Sequence, residues 1–223
     1  MQAKEKEIIK LEKLYKGYKE IDMNLKKRCL KPMTKLDFGI VIQNVVASIN
    51  LYCTIDLVNA YQMLIDDDQL FVSYNPETFP GLILKIKKPK ISSLVFSSGK
   101  LVLTGAKSTD MVNKGVQQMI KILRSVGTEI TEEPEIIVQN IVASGHFNNR
   151  SINLELASLW LDHSMYEPEQ FPGLIYRLAE PKTVLLLFQS GNLVCTGAKT
   201  EEQVRQAVEN TYNHLDEINA FEF

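Results

Sequence analysis

The spacing of apolar positions changes several times along the chain, and each change predicts an element. From Phe38 the run FGIVIQNVVASINLYC is rich in β-branched residues and predicts a first strand, with Asn44 and Val46 on one face. Helical spacing follows from about Asp56 to Ile65, with Asp56 in the N-cap position. A further strand leads to a turn at Asn75-Pro76. Beyond Phe79-Pro80-Gly81 come three short strands, roughly Leu82 to Lys87, Ile91 to Phe96 and Lys100 to Gly105, separated by turn signals at Pro89-Lys90 and Ser98-Gly99. Ser108 then caps a helix reaching about Val126, with Met111, Val112, Val116, Met119, Ile120 and Leu123 as its apolar stripe.

The same order is then repeated. FPGLILKIKKPKISSLVFSSGKLVLTGAKS (79–108) returns 92 residues later as FPGLIYRLAEPKTVLLLFQSGNLVCTGAKT (171–200). Upstream, IVQNIVAS (137–144) matches VIQNVVAS (41–48) at an offset of 96, so the first copy carries four extra residues, placed most simply near Asp66-Asp67-Asp68-Gln69. Insertions of that kind belong in a surface loop. The chain therefore divides into an N-terminal arm over 1–36, a first repeat over 37–131 and a second over 132–223. Each repeat reads strand, helix, four strands, helix, an α+β pattern in which an antiparallel sheet is covered by helices on one side. Two copies fuse into one ten-stranded sheet, and the face without helices needs another partner.

Strand alternation sorts the residues of that face. Val102 and Thr104 share it with Leu94 and Phe96, while Leu101 and Leu103 face the helices. The second copy supplies Val194, Thr196, Leu186 and Phe188, and the two first strands add Asn44, Val46, Asn140 and Val142. The result is apolar and almost uncharged, with isolated amides and hydroxyls.

Charge alters the picture because it is segregated. Residues 1–36 carry eleven Lys/Arg against five Asp/Glu (net +6), residues 37–131 nine against eight (+1), and residues 132–223 five against fourteen (−9). A net charge of −2 argues against an ordinary basic nucleic-acid binder, so the apolar face must supply the reason for any DNA reading. The arm places Ile8, Leu11, Leu14, Tyr15, Tyr18, Ile21 and Leu25 at helical spacing and ends in Lys26-Lys27-Arg28, reading as a solvated, helical or disordered segment or as a basic partner-binding or localisation segment. The three cysteines, Cys29, Cys53 and Cys195, show neither disulfide nor zinc spacing. His146, His163 and His214 lack ligand spacing, and no P-loop, H-E-x-x-H, G-x-S-x-G or Cys-His arrangement is present, so neither an enzyme, a cofactor nor a metal is expected. No apolar run reaches the roughly eighteen residues of a membrane span, and no signal peptide opens the chain, which leads to the expectation of a soluble intracellular protein.

A minor groove along A·T pairs offers only acceptors, so small apolar side chains with a few Asn and Thr donors suit it, and Phe at either end suits unstacking. On the duplicated F-P-G-L-I and F-x-S-G-x-L-V-x-T-G-A-K motifs, residues 38–218 resemble the TATA-box-binding protein family, general transcription initiation factors of archaea and eukaryotes. The resemblance implies a pseudo-twofold saddle, a curved ten-stranded antiparallel sheet with four helices on its convex face. It implies intercalation by Phe79, Phe96, Phe171 and Phe188, and minor-groove contacts by Asn44, Val46, Leu94, Val102, Thr104, Asn140, Val142, Leu186, Val194 and Thr196. Phosphate contacts would fall on Lys85, Ser98, Lys100, Lys107, Arg177, Ser190 and Lys199, and Glu167 and Glu169 match the loop presented to transcription factor B. The implied partners are TATA-element duplex DNA, transcription factor B and the RNA polymerase preinitiation machinery, in the nucleus of a eukaryote or the cytoplasm and nucleoid of an archaeon. Asn192, at the position of Lys100, removes one implied phosphate contact. A paralogue with altered promoter preference, or a saddle used as a protein-interaction module, are the competing readings.

Overall fold

In each copy the β-branched run opens the sheet, as β1 (Val41–Asn50) in the first and β6 (Glu135–His146) in the second. The computed structural model describes residues 37–148 and 150–222, and the expectations for the arm over 1–36 lie outside the described residues. The first copy continues with α1 (Leu57–Leu64), β2 (Leu70–Asn75), β3 (Phe79–Ile86), β4 (Ile91–Val95), β5 (Lys100–Ala106) and α2 (Thr109–Ser125). The second runs through β7 (Ser151–Ile152), α3 (Leu154–Trp160), β8 (Ser164–Met165), β9 (Leu174–Leu178), β10 (Thr183–Leu187), β11 (Asn192–Ala198), α4 (Glu201–Glu217) and β12 (Phe221–Glu222).

Among the described residues, short polar side chains start each helix by accepting from otherwise unpaired first-turn N–H groups. Asp56 accepts from the Val58 and Asn59 amides, Ser108 from Met111, Asn153 from Leu156 and Thr200 from Gln203. The extra residues of the first copy fall between α1 and β2, where the Asp67 carboxylate accepts from the Gln69 amide and closes an exposed acidic turn. The Lys88–Pro89 and Glu180–Pro181 bonds are cis at matching places, between β3 and β4 and between β9 and β10.

Ten strands form one antiparallel sheet in the order β2-β3-β4-β5-β1-β6-β11-β10-β9-β8. That order reads the same from either end once the copies are exchanged, and β1 pairing with β6 joins them at the centre. One face is the core: Leu82, Leu84, Val95, Leu101 and Leu103 are buried with Val116, Met119 and Leu123 of α2. Leu174, Leu185, Leu193 and Cys195 are buried with Val204, Val208 and Leu215 of α4 in the second copy. Burying apolar surface on this side is the main favourable term holding helices to sheet.

Two features depart from the sequence reading. Strand β3 begins at Phe79, because Phe79 pairs with Asn75 across a tight turn, whereas Phe171 precedes its strand. β7 and β12 also form a separate two-stranded sheet with no equivalent in the first copy. There the Arg150 guanidinium lies 4.0 Å from the Phe221 ring centroid, donates to the Tyr212 hydroxyl and pairs with Asp216.

Candidate nucleic-acid interface

Residues directly opposite one another in an antiparallel sheet share a face, so the register fixes what the open side carries. One row crosses the first copy as Ser73, Ile83, Leu94, Val102, Ser48 and Ile137. Its counterpart crosses the second as Met165, Ile175, Leu186, Val194, Ser144 and Val41. Beside them run Lys85, Ser92 and Thr104 in one half and Arg177, Val184 and Thr196 in the other. Leu94, Val102, Leu186 and Val194, assigned to the open face by alternation, all lie in these rows.

Alternation alone misses four residues. The register shifts between Ile42 and Asn44, and on β6 two steps separate Asn140 from Val138 where β1 takes one. A bulge of this kind reverses the in–out order beyond it. It brings Val41 and Ile137, 54% and 45% exposed, onto the open side. It also brings Gln43 and Gln139 there: Gln43 Nε2 donates to Ser144 Oγ at 2.8 Å and Gln139 Nε2 to Ser48 Oγ at 2.7 Å. The signal was the repeated Gln-Asn pair itself, which is legible only once the register is known.

The two asparagines are held in matching cradles. Asn44 Oδ1 accepts from the Gly105 amide at 2.8 Å, and Asn140 Oδ1 from the Gly197 amide at 2.7 Å. A backbone N–H can only donate, so each contact fixes the amide orientation and leaves Nδ2 pointing its donors elsewhere. Thr104 and Thr196 complete the cradles through Oγ1, at 3.1 and 3.2 Å from Nδ2. Both glycines have φ +96, backbone that L side chains rarely adopt, and this lets the strand bulge toward the asparagine.

Two pairs of half-buried rings mark matching places in the halves. Phe79 and Phe96 have centroids 5.9 Å apart at 65°, and Phe171 and Phe188 6.0 Å apart at 64°, edge-to-face in both. A Cβ at Gly81 would sit 2.7 Å from Phe79 and 3.1 Å from Phe96, and one at Gly173 2.8 Å from Phe171 and 3.1 Å from Phe188. The glycine of F-P-G is thus the floor on which each pair rests.

Around this face lie Lys85, Ser98, Lys100, Lys107, Arg177, Ser190 and Lys199, all exposed. Lys85 Nζ stands 4.9 Å above the Phe71 ring. The halves differ along one cross-strand row: Lys100, Asn50 and Glu135 in the first become Asn192 and His146 in the second. Glu167 and Glu169 are exposed between β8 and Phe171, and the Glu167 carbonyl accepts from the amides of Gln170 and Phe171. Among the described residues no group of His, Cys, Asp and Glu is placed to hold a metal, and no helix is long and apolar enough to cross a membrane.

Fold and face together define a duplicated α+β protein that presents one long, pseudo-twofold, nearly uncharged β-surface with an aromatic pair in each half. This chain belongs to the TATA-box-binding protein family. The family described as "Transcription factor TFIID (or TATA-binding protein, TBP)" matches at residues 39–126 and again at 135–218. The TATA-box-binding protein of Pyrobaculum islandicum is 48% identical over 177 residues, 79% of this chain and 86% of the relative. That of Sulfolobus acidocaldarius is 48% identical over 177 residues, covering 79% and 87%, and that of Methanobrevibacter smithii 47% over 182 residues, covering 82% and 97%. Among solved structures, Methanococcus jannaschii TBP superposes with a TM-score of 0.73 at 40% identity, over 80% of this chain and 98% of that one. The fold is the family's saddle, a curved ten-stranded antiparallel sheet with four helices on its convex face.

Proposed function

We propose that this chain is a general transcription factor that binds the minor groove of a TATA element, kinks it with its paired Phe side chains and nucleates preinitiation-complex assembly. The observation that carries the reading is the duplication of one device on a largely apolar face: an oriented Asn–Thr cradle and a Phe pair, twice, in matching positions. Along A·T pairs the minor groove shows only acceptors, which the Nδ2 donors of Asn44 and Asn140 satisfy, while Val46, Leu94, Val102, Val142, Leu186 and Val194 fill its floor without stranding a charge. Phe79 with Phe96, and Phe171 with Phe188, wedge between base steps at the two ends, and unstacking there is repaid by the surface the bent duplex then covers. Lys85, Arg177, Lys100, Lys107, Lys199, Ser98 and Ser190 hold the backbone.

Glu167 and Glu169 present the loop that receives transcription factor B, which in turn recruits the RNA polymerase machinery. The relatives named above are archaeal, which favours a cell without a nucleus. Gel mobility and bending on a TATA duplex test the reading. Phe171→Ala with Phe188→Ala should weaken binding and remove most of the bend, and unchanged bending in that double variant would overturn it. The unequal pair Ser92 and Val184, facing the groove in equivalent positions, favours a promoter preference of this chain's own. Selection from random duplexes reads it directly: enrichment of an element unlike TATA would make the chain a paralogue in function.

A further inference from the structure

We propose that His146 is the phosphate-binding residue at the rim of the second repeat, where the first repeat uses the ammonium of Lys100. As a neutral imidazole it donates a hydrogen bond and as an imidazolium it adds a cation, so this half grips DNA in a pH-dependent way. The proposal rests on the DNA-binding reading above. The two rims are built alike. Lys100 stands opposite Asn50 and Asn192 opposite His146, all on the open face by alternation from Val102, Ser48, Val194 and Ser144. Past each of these central strands the next amide is tied to the glycine of the Ser-Gly turn, Leu51 N–H to the Gly99 carbonyl at 3.0 Å and Phe147 N–H to the Gly191 carbonyl at 2.9 Å. Two residues after Asn50 and His146 the backbone turns left-handed, at Tyr52 (φ 52) and Asn148 (φ 47). The Tyr52 amide donates to Asn50 Oδ1 at 3.1 Å, and the Asn148 amide to His146 Nδ1 at 3.3 Å. His146 therefore takes the part of Asn50 in the turn, and the amide and the basic group have exchanged strands between the copies.

The turn decides what the ring offers. A backbone N–H only donates, so Nδ1 accepts and the neutral imidazole carries its proton on Nε2. Nε2 lies over Gly39, where a Cβ would sit 2.4 Å from it, so the glycine lets the ring lie along the rim. In the first copy Glu135 stands across from Asn50, and its carboxylate accepts from the Tyr52 hydroxyl at 2.9 Å. The second rim thus exchanges the Lys and the Glu together for one imidazole. The groups facing that ring are Asn192 of β11, Asn148 of its own turn and the backbone of Phe38 and Gly39, whose Phe38 carbonyl accepts the His146 amide at 2.9 Å. The charged groups next along the chain and on α4 are engaged with each other: the Arg150 guanidinium donates to Tyr212 and pairs with Asp216 at 3.2 Å. Among the described residues His146 forms no ion pair. Histidine is the side chain whose charge changes between about pH 5 and 8. Protonation turns Nδ1 into a donor, releases the amide of the exposed Asn148 to water, and supplies the positive charge that Asn192 does not.

Salt titration of TATA-duplex binding at about pH 5.5 and at about pH 8 tests this in the full chain. Each phosphate neutralised by a cation contributes about 0.9 to the slope of log K against log salt, so the unaltered chain should show a slope steeper by about one at the lower pH. His146→Asn keeps an acceptor for the Asn148 amide, as Asn50 does for Tyr52, and keeps a neutral donor, but it does not titrate. That variant should lose the difference between the two pH values. Adding Asn192→Lys to it should steepen the slope by about one at both. A slope that stays the same at both pH values in the unaltered chain overturns the proposal. So does an equal change in His146→Asn, which would assign the titration to another group. Failure of the unaltered chain to bind the duplex at either pH would overturn the underlying reading, an outcome distinct from these.

Discussion

Asn44 and Asn140 show how a single backbone contact converts an ordinary strand residue into a directed donor. Because the Gly197 amide holds Asn140 Oδ1, Asn140→Asp keeps that bond and replaces the outward donor with an acceptor. On the proposed reading, in which Asn140 faces an acceptor-lined groove, the variant should bind a TATA duplex ten- to hundredfold more weakly, matching about 1–3 kcal/mol for a lost base contact, with little change in melting temperature. Fluorescence anisotropy beside calorimetry separates the two effects. The F-P-G glycines make a second prediction: Gly173→Ala puts a methyl 2.8 Å from the Phe171 ring, so that ring must swing away, and on the proposed reading bending should fall while the fold persists. Cys195 belongs to the other side of the sheet, where burial pushes its thiol up to about 11. Its thiolate is then about a thousandfold scarcer than the thiol at pH 8, and a thiol reagent should label it only on unfolding. Rapid native labelling at Cys195 would show that the helix side is not closed.

Elements were legible where the information is local, and illegible where it depends on pairing between distant strands. Asp56 and Ser108 announce their helices because a cap and an apolar stripe lie within a few residues of one another, and α1 and α2 start where expected. Leu101 and Leu103 against Val102 and Thr104 sort correctly because β5 keeps its alternation over those four positions. The exposure of Val41, Gln43, Ile137 and Gln139 on the open face was not legible, since it follows from bulges that exist only when β1 meets β6, some ninety residues apart in sequence. The T-G-A-K motif shows the same limit. By itself Gly105 reads as the end of a strand before a cap, but it lies inside β5, at φ +96. A Cβ there would meet the Lys90 carbonyl at 3.0 Å. Gly105→Ala should therefore cost about 1–3 kcal/mol in urea unfolding and also weaken DNA binding, because moving the bulge moves the donor that orients Asn44. A variant that loses stability with affinity intact would separate the bulge from the cradle.

A molecule whose halves repeat each other has a directional problem, because a half-turn about the pseudo-dyad exchanges Asn44 with Asn140 and one Phe pair with the other. Direction on a promoter must come from what the copies do not share. The largest such difference is charge, +1 against −9, and its best-placed carriers are Glu167 and Glu169. The first repeat has Asn75 and Glu77 in the equivalent tract and folds it as the hairpin turn between β2 and β3. In the second repeat the tract is a loop whose Glu167 carbonyl anchors the amide of Phe171, so a protein bound to the carboxylates would stand beside the Phe171 ring. On the proposed reading, a partner that reads this loop would recognise one half only and so set the order of proteins along the DNA. Glu167→Lys with Glu169→Lys should leave the binary complex with a TATA duplex intact or strengthen it, since two cations replace two anions near a phosphate backbone. The same change should abolish the ternary complex with transcription factor B, through like-charge repulsion and loss of the carboxylate acceptors. Gel shifts with and without that factor measure both, and a ternary complex of undiminished affinity would mean that direction is read elsewhere on the saddle.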